Sequence, residues 1–239
     1  MPVRTLLTLL AGLIATLVLG PIVIIIAHVN PSSHWIERMI MIWSRVWLVT
    51  AGCTLETQGR ENVDTTRSQV VVANHLSNLD IMACFLAVPL PIRFLAKTEL
   101  FKVPVLSSAM RAVGIVEVDR AARSAIHEKV NQQAKALVAS GRSLIIYPEG
   151  TRSRTGALRS FKKGAFTMAI AAQIPVLPVS IHGTWQAWRP DSPWIRGGRI
   201  KVVIDAPIST EGLSKEAATA LAERAHAVIE QRLHQLATA

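Results

Sequence analysis

The chain has 239 residues, half of them apolar and 18% charged, which excludes a disordered or fully solvated polypeptide and favours one principal core over two. Twenty-six Lys and Arg against 16 Asp and Glu leave a net charge of +10. So much positive charge on so apolar a chain suits an anionic membrane surface or an anionic substrate, with nucleic acid as the competing class. Two cysteines, Cys53 and Cys84, are too few for a disulfide framework and sit in no zinc-type spacing, which points to a reducing compartment.

From Thr5 to Val29 the sequence holds no Asp, Glu, Lys or Arg. At about 1.5 Å per residue, a helix there matches a hydrocarbon layer roughly 30 Å thick. The run is longer than a typical signal peptide core and lacks a clear small-x-small cleavage site, so it reads as a retained anchor. Asn30-Pro31-Ser32-Ser33 marks a turn, and a second helix is expected from His34 to about Thr50. At about 100° per residue, His34, Glu37, Arg38, Ser44 and Arg45 share one arc, with Trp35, Trp43, Trp47 and the aliphatics outside it. That pattern fits a helix lying in the headgroup layer, and also one packed on a globular core. A spanning first helix and a hairpin dipping into one leaflet both satisfy the sequence, and Pro21 permits a kink.

Beyond Gly52, short β-rich runs alternate with helical patterns. Strands are expected at Val70–Ala73, Ile92–Ala96, Ile115–Val118, Leu144–Tyr147, Val176–Ile181 and Ile200–Ile204. Helices are expected at Asp80–Val88, Val105–Val113, Ala121–Ser140, Lys163–Gln173 and from about Ser214 to Leu236. The alternation implies an α/β domain, a mostly parallel central sheet with helices on both faces, with room for antiparallel edge strands. The expected organisation is therefore a membrane-associated two-helix element at 1–52 and the α/β domain at 53–239.

In such sheets ligands gather beyond the carboxyl ends of the strands. Asn74-His75 follows the first expected strand, Asp119-Arg120 the third and Pro148-Glu149-Gly150-Thr151-Arg152 the fourth. Ser77 followed by Asp80 approximates a capping box, and His75 lies two residues before the cap, within reach of the Asp80 carboxylate. An Asp that holds one imidazole nitrogen fixes the tautomer, frees the other nitrogen as a base and stabilises the imidazolium that forms. No GxSxG elbow supplies a nucleophile, so the pair suits a reaction in which a substrate hydroxyl attacks directly. His28, His34, His127, His182, His226 and His234 show no metal-ligand spacing.

Basic residues gather at the same strand ends. Lys97 and Lys102 flank the second, Arg120 closes the third, and Arg152, Arg154, Arg159, Lys162 and Lys163 follow the fourth, with Gly150, Gly156 and Gly164 permitting close backbone approach. Lys163-Gly164 opens a helix whose free N–H groups add anion affinity. Convergence on a phosphate is the reading; for Arg154, Arg159 and Lys162 a solvated or headgroup-facing role stands beside it. GxGxxG and GxxxxGK[ST] are both absent, so the sequence offers no dinucleotide or nucleoside triphosphate loop. Gly183 to Gly198, with Trp185, Trp188 and Trp194 among prolines, reads as an irregular stretch that serves lipid contact or internal packing.

Taken together these segments resemble the glycerolipid acyltransferases, in particular the bacterial-type 1-acyl-sn-glycerol-3-phosphate acyltransferases. Asn74-His75 through Asp80 is similar to their NHxxxxD block, Gly114 to Arg120 to the second, Tyr147 to Ser153 to the third and Ile174 to Val179 to the fourth. Phe94 to Leu100 and Phe161 to Gly164 are similar to two shorter signatures, and order and spacing agree over roughly residues 70 to 185. The resemblance implies acyl transfer from acyl-CoA or acyl-ACP to the hydroxyl of a lysophospholipid, giving phosphatidic acid when the acceptor is lysophosphatidic acid. It implies His75 as base, Asp80 as its orienting partner and Arg152 on the acceptor phosphate, with Lys97, Arg120 and Lys163 as further anion contacts. Glu149, Gly150 and Thr151 belong to the same acceptor block. It also implies no cofactor beyond the thioester co-substrate, a bilayer as partner, no nucleic acid, and a place on the cytoplasmic face of the cell inner membrane. The residues alone leave open a hydrolase that activates water and a non-catalytic, membrane-anchored anion-binding module.

Overall fold

The computed structural model describes residues 1–118, 132, 136 and 138–238. Arg120, Asp119 and most of the helix expected at Ala121–Ser140 lie outside the described residues. The chain opens with α1 (Pro2–Val29) and α2 (His34–Thr50), and continues through β1 (Cys53–Gln58), β2 (Val70–Ala73), α3 (Leu79–Ala87), β3 (Ile92–Lys97), α4 (Leu106–Val113) and β4 (Val116–Val118). It then runs through β5 (Ser143–Ile146), α5 (Gly164–Ala172), β6 (Val176–His182), α6 (Thr184–Ala187), β7 (Gly198–Ile204) and the closing α7 (Ala218–Thr238).

The strands form one seven-stranded sheet in the order β1-β7-β6-β2-β5-β3-β4. From β6 to β4 every neighbouring pair is parallel, while β7 runs antiparallel to β6 and carries β1 parallel to itself. The sheet is thus mostly parallel with an antiparallel step near one edge. β1 has no counterpart among the expected strands. Its sequence, CTLETQ, alternates polar and apolar on an edge where only Cys53 is buried, so it lacks the continuous apolar run that marks an inner strand.

β2 lies near the middle of the sheet and all four of its residues are buried, because helices cover both faces. Val71 and Ala73 face α3 and α2, whereas Val70 and Val72 face α5 and α7, the two-residue period that a pleated strand imposes. The chain leaves β2 toward β3 on one side and places β5 and β6 on either flank of β2, so a crevice opens where the connections diverge, at the carboxyl end of β2.

The first two helices reverse the pattern of a soluble helix pair. The residues α1 buries are mainly small or polar (Thr5, Thr8, Gly12, Ala15 and Gly20, with Val23), and its large aliphatics, Leu6, Leu10, Leu13 and Leu17 among them, face outward. Trp43 Nε1 donates to Thr16 Oγ1 at 2.9 Å, and the Trp47 indole occupies the space a side chain at Gly12 would need, with a Cβ there only 2.2 Å from Trp47 Cζ2. The polar arc of α2, which fits a helix in the headgroup layer or one packed on a globular core, does not share one environment. Ser44 is fully buried, and Glu37 turns inward to pair with Arg93 of β3, a guanidinium with no exposed surface, Nη1 lying 3.1 Å from Oε2. A buried cation needs a partner, and that need overrides the helical wheel. Meanwhile Trp35, Met41, Ile42 and Val49 are exposed. α1 is 28 residues long and apolar enough to cross a bilayer. Between α1, α2, α4 and the sheet lies an apolar cavity of about 110 Å³, bordered by Gly20, Met39, Trp43, Phe94 and Met110.

Candidate active site

His75 stands two residues beyond β2, where the chain bends into α3. Its Nδ1 lies 2.8 Å from Asp80 Oδ2, and the same oxygen accepts the N–H groups of Leu76 at 2.7 Å and Ser77 at 2.8 Å. Asp80 has no exposed side-chain surface; His75 keeps 13%. Three donors on one carboxylate oxygen make Nδ1–H the donating side of the ring and leave Nε2 with its lone pair. The capping box forms in part. Asp80 reaches back to the Ser77 N–H as expected, but the Ser77 hydroxyl accepts the Leu79 N–H at 3.2 Å and donates to the Trp188 carbonyl at 2.7 Å, and the helix begins at Leu79.

Four further contacts hold the base. Tyr147 stacks on the imidazole with ring centroids 4.0 Å apart. The pairing of Val72 with Ile146 places Tyr147 beside the end of β2, so the strand register delivers this ring. Glu149, almost wholly buried, accepts the His75 backbone N–H on Oε1 at 2.6 Å and the Arg159 N–H on Oε2 at 3.1 Å. Burial raises its carboxyl to about 7, offset in part by those two backbone donors. Ser153 N–H donates to the His75 carbonyl at 2.8 Å. Asn74, fully buried, pairs through its amide with both backbone groups of Ile181 in β6, at 2.9 and 2.7 Å, and continues the ladder past the end of β2. Burial also pushes the Tyr147 hydroxyl and the Cys84 thiol beneath it upward, so both stay neutral.

The basic loop after β5 folds over the same turn. Arg152 Nη1 donates to Asn78 Oδ1 at 2.9 Å, which brings its guanidinium to the start of α3. Gly150 has φ +75°, a conformation that favours glycine, and the Lys162 ammonium leans on the loop, Nζ lying 2.9 Å from where a Cβ would stand. Sequence reasoning singled out Lys163; the structure places that residue, exposed, at the start of α5, where its carbonyl takes the Phe166 and Thr167 N–H groups. Thr151 is exposed on the loop, and Lys97 is exposed at the end of β3 on the same edge of the sheet. Tyr147 and Asn78 were given no site role by the sequence, whereas Lys162 was among the basic residues read as converging on a phosphate, with a solvated role beside it. For Tyr147 and Asn78 the available signals were an aromatic residue ending a strand and an Asn in the cap region.

A family model described as Acyltransferase matches residues 54–182, more than half the chain. The chain belongs to the acyltransferase family. A 1-acyl-sn-glycerol-3-phosphate acyltransferase of Cocos nucifera is 33% identical over 199 residues, which cover 83% of this chain and 62% of that protein. The alpha form from Mus musculus is 30% identical over 196 residues, 81% of this acyltransferase and 67% of the mouse protein. The chain thus spans about three fifths to two thirds of the length of these relatives. The crystal structure of the 1-acyl-sn-glycerophosphate (LPA) acyltransferase PlsC from Thermotoga maritima superposes with a TM-score of 0.86 at 26% identity, covering 99% of this chain and 96% of that one. The match extends over the two N-terminal helices as well as the sheet.

Proposed function

We propose that this acyltransferase moves a fatty acyl group from a thioester, acyl-CoA or acyl-ACP, to the free hydroxyl of 1-acyl-sn-glycerol 3-phosphate, giving phosphatidic acid. The observation that carries the reading is the His75 Nδ1 to Asp80 Oδ2 contact of 2.8 Å at the carboxyl edge of the sheet, beside Arg152. The relatives named above act on this acceptor by name.

His75 Nε2 takes the proton of the acceptor hydroxyl as its oxygen attacks the thioester carbonyl carbon; Asp80 stabilises the imidazolium. The C–O bond forms, the carbonyl electrons move to oxygen, and their return breaks the C–S bond. The departing sulfur recovers the proton from His75, so one ester and one free thiol leave and the base is regenerated. The step balances without a covalent acyl-enzyme, a metal or a cofactor. Arg152 and Lys162 supply positive charge for the acceptor phosphate, with Lys97, Lys163 and Arg120 as further contributors. Residues 1–52 form the membrane-embedded element and 53–239 the catalytic domain, facing the cytoplasm from the inner membrane, where thioester donors are available.

Thiol release in the presence of a long-chain acyl thioester tests the reading. Release that depends on lysophosphatidic acid and yields a diacyl product is expected, and His75→Ala should lower it by about a hundred- to ten-thousandfold. Release independent of acceptor would identify a hydrolase, and no release with any donor would reject catalysis.

A further inference from the structure

Next to the base turn is a second basic depression that the mechanism does not use. It encloses about 370 Å³ and is bordered by Arg154, Trp185, Arg189, Asp191 and Arg196. Three guanidiniums face one carboxylate there; Arg154 Nε lies 3.4 Å from Asp191 Oδ2, and all four of these side chains are exposed. The Arg189 guanidinium sits 4.0 Å above the Trp185 ring, and Trp185 Nε1 donates to the Arg154 carbonyl at 3.3 Å. The far wall is fixed by its backbone, with Arg196 N–H on the Ala187 carbonyl at 2.8 Å and the Arg196 carbonyl taking the Arg4 guanidinium.

Both walls hang from the catalytic turn. Ser153, the neighbour of Arg154, donates to the His75 carbonyl, and Trp188, the neighbour of Arg189, accepts the Ser77 hydroxyl. The depression is therefore tied to the base turn at His75 on one side and at Ser77 on the other, through hydrogen bonds distinct from the Arg152 and Asn78 contact. A concave site with several forked donors and one aromatic wall suits a compact, multiply charged phosphate better than a flat headgroup layer.

We propose, resting on the acyl-transfer reading above, that this depression binds the phosphate end of the donor's pantetheine arm, so that the thioester at the other end reaches His75. Coenzyme A and a phosphopantetheine carrier share that chemistry, and coenzyme A adds the nucleotide phosphates. Acceptor phosphate and donor phosphate then lie on two separate sets of cations.

The test measures donor and acceptor KM for the full chain and for Arg154→Glu and Arg189→Glu, with palmitoyl-CoA, palmitoyl-4′-phosphopantetheine and palmitoyl-pantetheine as donors. Donor KM should rise about tenfold or more for the phosphorylated donors and stay near wild type for palmitoyl-pantetheine, whose turnover also reports an intact fold. An effect on palmitoyl-CoA alone would overturn the assignment in favour of the nucleotide phosphates; an effect on both phosphorylated donors assigns the site to the shared 4′-phosphoryl group. Equal changes with all three donors, changes confined to acceptor KM, or no change at all would overturn the proposal. Failure of acceptor-dependent turnover by the wild-type chain with every donor would sink the acyl-transfer reading instead. Calorimetric binding of coenzyme A, expected for wild type and weakened by Arg189→Glu, then decides the phosphate site by itself, and its absence in wild type would reject it.

Discussion

His75 is restrained at its ring by Asp80 and Tyr147, at its N–H by Glu149 and at its carbonyl by Ser153. Asp80→Asn keeps the shape but offers an amide where a carboxylate had taken Nδ1–H and two backbone donors. The maximal rate should fall by a factor of about a hundred to ten thousand with little change in acceptor KM, which steady-state kinetics at saturating donor would show. Glu149 braces two backbone N–H groups from inside, so Glu149→Ala should depress the maximal rate more than it raises acceptor KM; the reverse would make it a direct substrate ligand. Its carboxyl, lifted to about 7 from an ordinary 4.5, holds a proton in the folded state after the unfolded chain has released it. Stability from this group is therefore complete below about pH 4.5 and is lost as pH rises through about 7. Glu149→Gln cannot ionise, so its denaturation midpoint should change less than wild type between pH 5 and pH 8. The His75 and Asp80 pair was legible because five residues around one turn place it locally. Glu149 braces a group 74 residues earlier, a contact set by the alignment of β2 with β5, which no local pattern contains.

Among the contacts that fix the helix pair to the sheet domain and to itself, two are open to simple tests. Glu37→Ala leaves the Arg93 guanidinium buried without its carboxylate, and a loss of about 3 kcal/mol is expected, the low end for such pairs because Glu37 keeps some access to water. Replacing both partners, Glu37→Gln with Arg93→Met, should recover much of it; thermal denaturation in one detergent compares the set. Gly12→Leu drives a side chain into the Trp47 indole and should cost about 1–3 kcal/mol or pry the two helices apart. The inner strands and α3, α4, α5 and α7 were legible within a few residues because periodicity reports burial. The polar edge strand β1 was not, since an edge needs little apolar surface. On α2 the wheel grouped the polar residues in one arc but did not say what that arc meets, and the buried Arg93 across the interface is what draws Glu37 inward.

Across the whole molecule the surplus of apolar residues and the net charge of +10 occupy different places. The outward leucines of α1 and the exposed Trp35, Met41 and Ile42 of α2 make an extended apolar surface, whereas Arg154, Arg189 and Arg196 gather on loops tied to the base turn. Binding to anionic vesicles should therefore survive about 1 M salt, where the Debye length is roughly 3 Å, and yield only to detergent; release by the salt wash in a sedimentation assay would show that charge alone holds the chain. One continuous set of contacts joins the two regions: the Ser77 hydroxyl meets the Trp188 carbonyl, the Trp188 ring stacks on Trp47 at 6.5 Å, and Trp47 fills the space over Gly12. The base is thereby held in a fixed position relative to the two apolar helices. Lifting a sixteen-carbon chain into water costs roughly 12 kcal/mol at about 0.8 kcal/mol per methylene, enough to swamp any affinity a surface pocket offers a lyso-lipid. On the proposed reading, a base moored through tryptophans to these helices meets the acceptor hydroxyl at the bilayer, and the acceptor's tail need not be solvated.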